Sequence, residues 1–163
     1  MSKNRWVLVA LVAIGTGVLA TVVLATSGSG LSSVIQARAS FVVPVDLKFK
    51  VDNGSEDVIH VPETRETVIQ QITIAPGGHS GWHSHPGPAV ALMKSGTLTL
   101  FDGETPGCAP RAYTAGQSFV DRGQGHVHLA ANLGTTDVEV WVTYFDVPPG
   151  GSPRIDQPDP HAC

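Results

Sequence analysis

The stretch Gly77-Gly78-His79-Ser80-Gly81-Trp82-His83-Ser84-His85-Pro86-Gly87-Pro88 sets two histidines two residues apart among turn-forming glycines and prolines. Side chains two apart on an extended chain project from one face, so on a strand His83 and His85 aim their rings into one space. Farther on, Gly116-Gln117-Ser118-Phe119-Val120-Asp121-Arg122-Gly123-Gln124-Gly125-His126-Val127-His128 gives a short apolar run, a glycine-rich turn and a second pair of histidines two apart. Imidazole nitrogens bind first-row divalent metals at about 2.0–2.1 Å. Two such strands facing a common cavity can bring three ring nitrogens to one side of an ion and leave positions for water or substrate. Taken alone, the same pairs also suit solvated or hydrogen-bonded histidines in polar loops.

The flanking text reads as strands. Apolar residues alternate at Val45, Leu47, Phe49 and Val51, and Asn53-Gly54 follows as a hairpin turn signal. Thr67 to Ala75 is a second strand, and Ala89 to Lys94 and Thr97 to Asp102 flank a turn at Ser95-Gly96. Ser118 to Asp121, His126 to Asn132 and Asp137 to Val147 supply three more. No window holds a 3.6-residue period, and the 18 glycines and 12 prolines fit short strands joined by tight turns. Residues 41–147 are therefore expected to form an all-β sandwich or barrel. The tail Pro148–Cys163 has five prolines in sixteen residues. It is expected to be neither ladder strand nor helix, and to lie along the barrel surface.

The N-terminus is a separate matter. Lys3 and Arg5 precede Trp6 to Ala25, twenty residues without a charge. A positive start before an apolar run is the pattern of a secretory signal, and twenty residues also suffice to span a bilayer as a helix. Both readings of residues 1–25, cleaved signal and retained anchor, place the remainder outside the cytoplasm, as a secreted or membrane-anchored protein. Residues 26–40 read as a linker. Cys108 and Cys163 suit an oxidising compartment and are expected to pair. Such a bridge would stabilise by roughly 4 kcal/mol in the chain-entropy model.

The whole chain carries a net charge of −4. Taking Lys3 and Arg5 from the ten basic residues leaves eight against fourteen acidic, a net of −6 beyond the leader. No basic patch survives there, which argues against nucleic acid or anionic lipid as a partner. Membrane contact is expected only through the N-terminal segment, if it is uncleaved.

Gly77, then His83-Ser84-His85, then Gly96 resembles the first cupin motif, and Gly116 to Asp121 with Gly123-Gln124-Gly125, His128 and Asn132 resembles the second. The run Gly81 to Pro88 is similar to that of small exported actinobacterial-type cupins without assigned activity, and the likeness extends from about Phe41 to the C-terminus. The resemblance implies a double-stranded β-helix, a jelly-roll barrel, here behind an N-terminal signal or anchor helix. It also implies metal ligands at His83, His85 and His128, and pairing into a homodimer through edge strands.

Two departures stand out. The family's usual glutamate ligand, four residues after His85, is Ala89, and Arg122 stands where proline is common, with a gap to His128 one residue longer than usual. The insertion keeps His126 open as an alternative ligand, and His79 as a fourth donor. Asp121 is the acidic residue best placed for an outer-shell or acid/base role. Without the glutamate, three neutral imidazoles leave a divalent ion its full charge, which favours a small anionic ligand and acidifies bound water. Iron, manganese, nickel, copper and zinc all accept imidazole.

Two classes of function follow. One is an extracytoplasmic metalloenzyme acting on a small anionic molecule; three-histidine cupins lacking the glutamate resemble dioxygenases, and isomerase-like chemistry is equally open. The other is a non-catalytic module that binds a metal or small molecule, towards which the missing glutamate and the lack of a clear general base pull. No nucleophile elbow or phosphate loop is present in the sequence.

Overall fold

The computed structural model describes residues 25–52 and 56–163. The expected signal or anchor helix, apart from Ala25, and the Asn53-Gly54 turn lie outside the described residues. Among those residues the chain forms ten strands and no helix, and every strand pairing is antiparallel.

The first two strands, β1 (Ser29–Asp52) and β2 (Glu56–His79), make one long hairpin. Residues 29–40, expected as part of a linker, are instead the first half of β1. Their sequence lacks a clean alternation. Pairing with β2 orders them, with Leu31 opposite Ile74 and Ala39 opposite Thr67. The side chain of Arg38 adds a tie, bonding the buried Glu66 carboxylate and the Gly151 carbonyl. Between Ser40 and Val45 the first strand advances five residues while the second advances only from Glu66 to Thr64. Pro44 lies in this irregular stretch, where a missing N–H breaks no ladder bond. Beyond it Val45, Leu47, Phe49 and Val51 are half-buried and alternate with exposed Asp46, Lys48 and Lys50, as the sequence pattern requires. The Phe49 ring packs 5.5 Å from that of Phe145.

Short strands complete the barrel: β3 (His83–Ser84), β4 (Ala89–Ser95), β5 (Thr97–Asp102), β6 (Arg111–Thr114), β7 (Ser118–Asp121), β8 (His128–Ala131), β9 (Val138–Phe145) and β10 (Ile155–Asp156). One sheet runs β1-β2-β9-β4-β7 and the other β10-β3-β8-β5-β6. They join where His79 of β2 pairs with Ala131 of β8. The result is a nearly closed jelly-roll barrel, the all-β architecture expected from the two motifs.

Period-two burial defines the core. Ala89, Ala91 and Met93 of β4 and Val138, Val140, Val142 and Tyr144 of β9 turn inward, against Val68, Ile74 and Leu98. Each large aliphatic side chain among them contributes roughly 1.5–3 kcal/mol on burial.

The tail departs from expectation. Ile155 and Asp156 form a two-residue ladder with Ser84 and His83. Pro153 and Pro158 flank these residues rather than interrupt them, so both N–H groups remain available to the pairing. Farther along, Gln157 N–H donates to the Trp82 carbonyl and the Thr26 N–H donates to the Gln157 carbonyl. Cys108 and Cys163 form the expected disulfide.

Candidate metal centre

His83 opens β3 and lies directly opposite His128, the first residue of β8. His85 follows β3 in the segment leading to β4. All three are buried, between 4% and 7% exposed, and one ligand nitrogen from each lies within 4.8 Å of the others. Ring centroids stand 5.0 Å apart for His83 and His85, 4.3 Å for His83 and His128, and 5.1 Å for His85 and His128.

Two close backbone approaches hold the motifs together. A Cβ on Gly123 would sit 1.8 Å from the Gly87 carbonyl oxygen, so only glycine lets the second turn touch the first. Gly123, Gln124 and Gly125 all have positive φ, at 60°, 55° and 89°. The Gly125 N–H then donates to the His85 carbonyl at 3.2 Å.

The second nitrogen of each ring decides whether the group suits a metal. His83 Nδ1 donates to the Gly81 carbonyl at 3.0 Å, and His85 Nδ1 donates to the Pro153 carbonyl at 2.7 Å. Both rings are thereby fixed with the proton on Nδ1 and the lone pair on Nε2, the arrangement that orients metal-ligating histidines. His128 Nδ1 lies 3.2 Å from Asp121 Oδ2, yet it is out of line for a hydrogen bond and has no other partner among the described residues. The contact is electrostatic in this geometry and still leaves Nε2 free. Three neutral imidazoles of this kind fit a first-row divalent ion.

Electrostatics agree. Burial lowers His83 well below the ordinary histidine range, helped by the neighbouring charges of His128, His85 and Arg154. Burial likewise lowers His85 and takes His128 down to about 4, with Asp121 opposing in both cases. All three are neutral, and hence able to ligate, near pH 7.

His126 and His79, the alternative ligands, are occupied otherwise. His126 Nδ1 donates to Asp121 Oδ2 at 2.9 Å and Nε2 donates to Asp102 Oδ1 at 3.1 Å. Burial works against its charge, but the two carboxylates outweigh burial and raise it. Both ring nitrogens are thus engaged by carboxylates rather than turned to the space between His83 and His85. His79 ends β2 and its Nδ1 accepts the Gly81 N–H at 3.1 Å, outside the triad. Asp121 joins the turn to both histidines of the second pair: Oδ1 accepts the Gly123 N–H at 2.8 Å while Oδ2 meets His126 and His128. Burial would raise its carboxyl, but the bond from His126 and the charges of His128, His85 and His126 hold it well below the usual carboxylate range. Asp121, His126 and His128 also form a second three-donor group that shares His128 with the first.

The triad opens on a cavity of about 90 Å³ whose apolar wall includes Leu31, Ile72, Ala89, Ala91, Leu98 and Val142. Ala89 faces this space and stands opposite Asp121 and Tyr144 in the ladders. Three residues of the site were not legible beforehand. Tyr144, a core residue of β9, places its ring 4.9 Å from His85 and lines the cavity; burial raises its hydroxyl. Arg154 and Pro153 arrive from the tail, where no sequence signal ties them to motifs some seventy residues earlier.

No protein-family model matches this chain, and no curated protein matches it. Among solved structures it is similar to a cupin-like protein from Thermotoga maritima, at 18% identity and a TM-score of 0.49 over 57% of this chain and 65% of that one. It is also similar to an oxalate oxidase in complex with the substrate analogue glycolate, at 25% identity and a TM-score of 0.43 over 49% of this chain and 41% of that one. A cupin domain from Bordetella pertussis is similar at 24% identity and a TM-score of 0.41, over 63% of this chain and 94% of that one. The chain thus spans less than two thirds of the first of these proteins and about two fifths of the second.

Proposed function

We propose that this chain is an exported cupin that holds one divalent transition-metal ion on His83, His85 and His128 and presents it to a small anionic molecule in the barrel. The observation that carries the reading is the triad itself: three buried ring nitrogens within 4.8 Å, two of them fixed in the ligating tautomer by backbone carbonyls. Export rests on the leader and on the disulfide, which suits an oxidising compartment.

Such an ion, when bound, polarises an oxygen donor and lowers the pKa of coordinated water. The chain's own residues do the rest. Gly81 and Pro153 keep the first two imidazoles in register, and Asp121 stands behind the third. Ala89 supplies no carboxylate, so the centre stays more positive than a His₃Glu site and favours an anion, in dioxygenase-like or isomerase-like chemistry. The apolar wall limits water beside the reacting group.

One observation favours the non-catalytic reading. Of the groups lining the cavity besides the triad, Asp121 is already engaged by His126 and Gly123 and Tyr144 holds its proton tightly, so no free general base faces the ligand. Metal analysis of the purified chain, beside a variant with His83, His85 and His128 all changed to alanine, tests the shared premise. About one equivalent of metal is expected in the first and none in the second; equally little in both ends the metal reading. Oxygen uptake or turnover with small carboxylates then separates enzyme from binding module.

A further inference from the structure

The tail contributes a charge to the cavity that the triad does not use. Arg154 lines the same space as His83, His85 and His128, although it lies beyond the last long strand. Its position is fixed from both sides: Nη2 donates to the Ser80 carbonyl at 2.6 Å, and Nε donates to Asp156 Oδ1 at 2.6 Å. Asp156 is the more exposed of that pair, its side chain at 55% against 30% for Arg154. The counter-charge therefore lies on the solvent side. Two of the five guanidinium N–H donors are engaged in this way, and the other three have no partner among the described residues. A half-buried, positioned cation with free donors at the edge of an apolar cavity is a recognition element for a planar oxyanion, which guanidinium grips through paired N–H bonds.

We propose that Arg154 is the specificity residue of this site, binding the carboxylate of a small monocarboxylic acid whose short apolar body lies against Ile72, Ala89, Ala91 and Val142. This deepens the metal-centre reading and rests on it for the positive field that the carboxylate enters. The size is matched to the cavity of about 90 Å³, room on the order of a few water molecules, so an acid of two to four carbons fits.

The test uses the full chain with its metal, and acetate, propionate and propionamide as probes, followed by calorimetry. Arg154→Gln keeps a donor for the Ser80 carbonyl but removes the charge; Arg154→Lys keeps the charge without the planar fork. Propionate is expected to bind the parent protein, about tenfold or more weakly to Arg154→Gln, and at an intermediate level to Arg154→Lys. Propionamide should bind all three proteins alike, and metal content should not change. Equal propionate affinity in parent and Arg154→Gln, with metal retained, overturns the proposal and leaves the metal centre standing. A parent chain without metal overturns the metal centre, and the same propionate comparison still decides Arg154. Failure of the parent to bind any of the acids also overturns it. Melting curves of the two variants, expected within a few degrees of the parent, exclude misfolding as the cause of a loss; if Arg154→Gln does not fold, Arg154→Lys carries the comparison.

Discussion

The carbonyl oxygen of Pro153 accepts the Nδ1 proton of His85 across 2.7 Å, so a residue of the proline-rich tail fixes the orientation of a triad imidazole buried in the barrel. The same tail pairs with His83 and Ser84 through Asp156 and Ile155 and is fastened at its end by Cys163 to Cys108. The disulfide is thus mechanically upstream of the site.

Breaking that bridge should weaken metal binding as well as stability. Cys163→Ser is expected to lose about 2–5 kcal/mol of unfolding free energy. It should also lose roughly tenfold or more in metal affinity, the scale seen when an outer partner of a ligating histidine is removed. Chelator competition on the folded protein, with and without a reductant, measures the second effect separately. Metal affinity that ignores reduction would show that the tail does not hold His85.

The position of His126 makes a sharp contrast with His128. His126→Ala should keep one metal per chain and weaken its binding by about 10–100-fold, because Asp121 loses a charged partner and orients His128 less firmly. His128→Ala should retain no metal. The reverse result, metal lost with His126 and kept without His128, would exchange their roles.

How far these assignments could be read in advance depends on sequence distance. His83, His85 and His128 were legible because strand alternation is local and each motif carries its own glycines. The barrel was legible for the same reason, down to the half-buried alternation from Val45 to Val51. The strand over residues 29–40 was not, since its residues are small, polar or irregularly spaced and are ordered only by β2. The engagement of His126 by two carboxylates was equally hidden, for one of them is Asp102, which reaches the turn because β5 pairs with β8. Pro153 and Arg154 sit in a segment whose proline content describes what the backbone avoids, not what it approaches.

Acid should destabilise the metal-free protein before it titrates ordinary carboxylates. His83, His85 and His128 have folded pKa values below 6.5, His128 at about 4. Between those limits the unfolded chain binds protons that the native chain refuses. Stability therefore falls as pH falls from about 6.5 to 4, by on the order of 3 kcal/mol for His128 alone. Asp121, depressed in the folded state, adds a loss at still lower pH. His126 has the opposite sign: its stabilisation is complete below 6.5 and fades as pH rises through its raised folded value. Chemical denaturation across pH 4–9 should give a maximum near neutrality with the steeper limb on the acid side. A flat profile between pH 6.5 and 4 would contradict the burial of neutral imidazoles.

Ala89 offers a substitution that gains function at a predictable price. Its Cβ faces the triad cavity from β4, opposite Asp121, and it is 2% exposed. Ala89→Glu places a carboxylate where the three imidazoles lack one. Without metal, that group is buried near a second carboxylate, so the apo protein should melt several degrees lower, with a loss of about 1–3 kcal/mol. With metal, the added ligand removes one unit of charge and should tighten binding at least tenfold, so the rise in melting temperature on metal addition grows. The centre then attracts anions less, and propionate should bind more weakly than to the parent. Weaker metal binding in Ala89→Glu would mean that position 89 does not reach the ion, and that the charge of the site is not set by what is missing there.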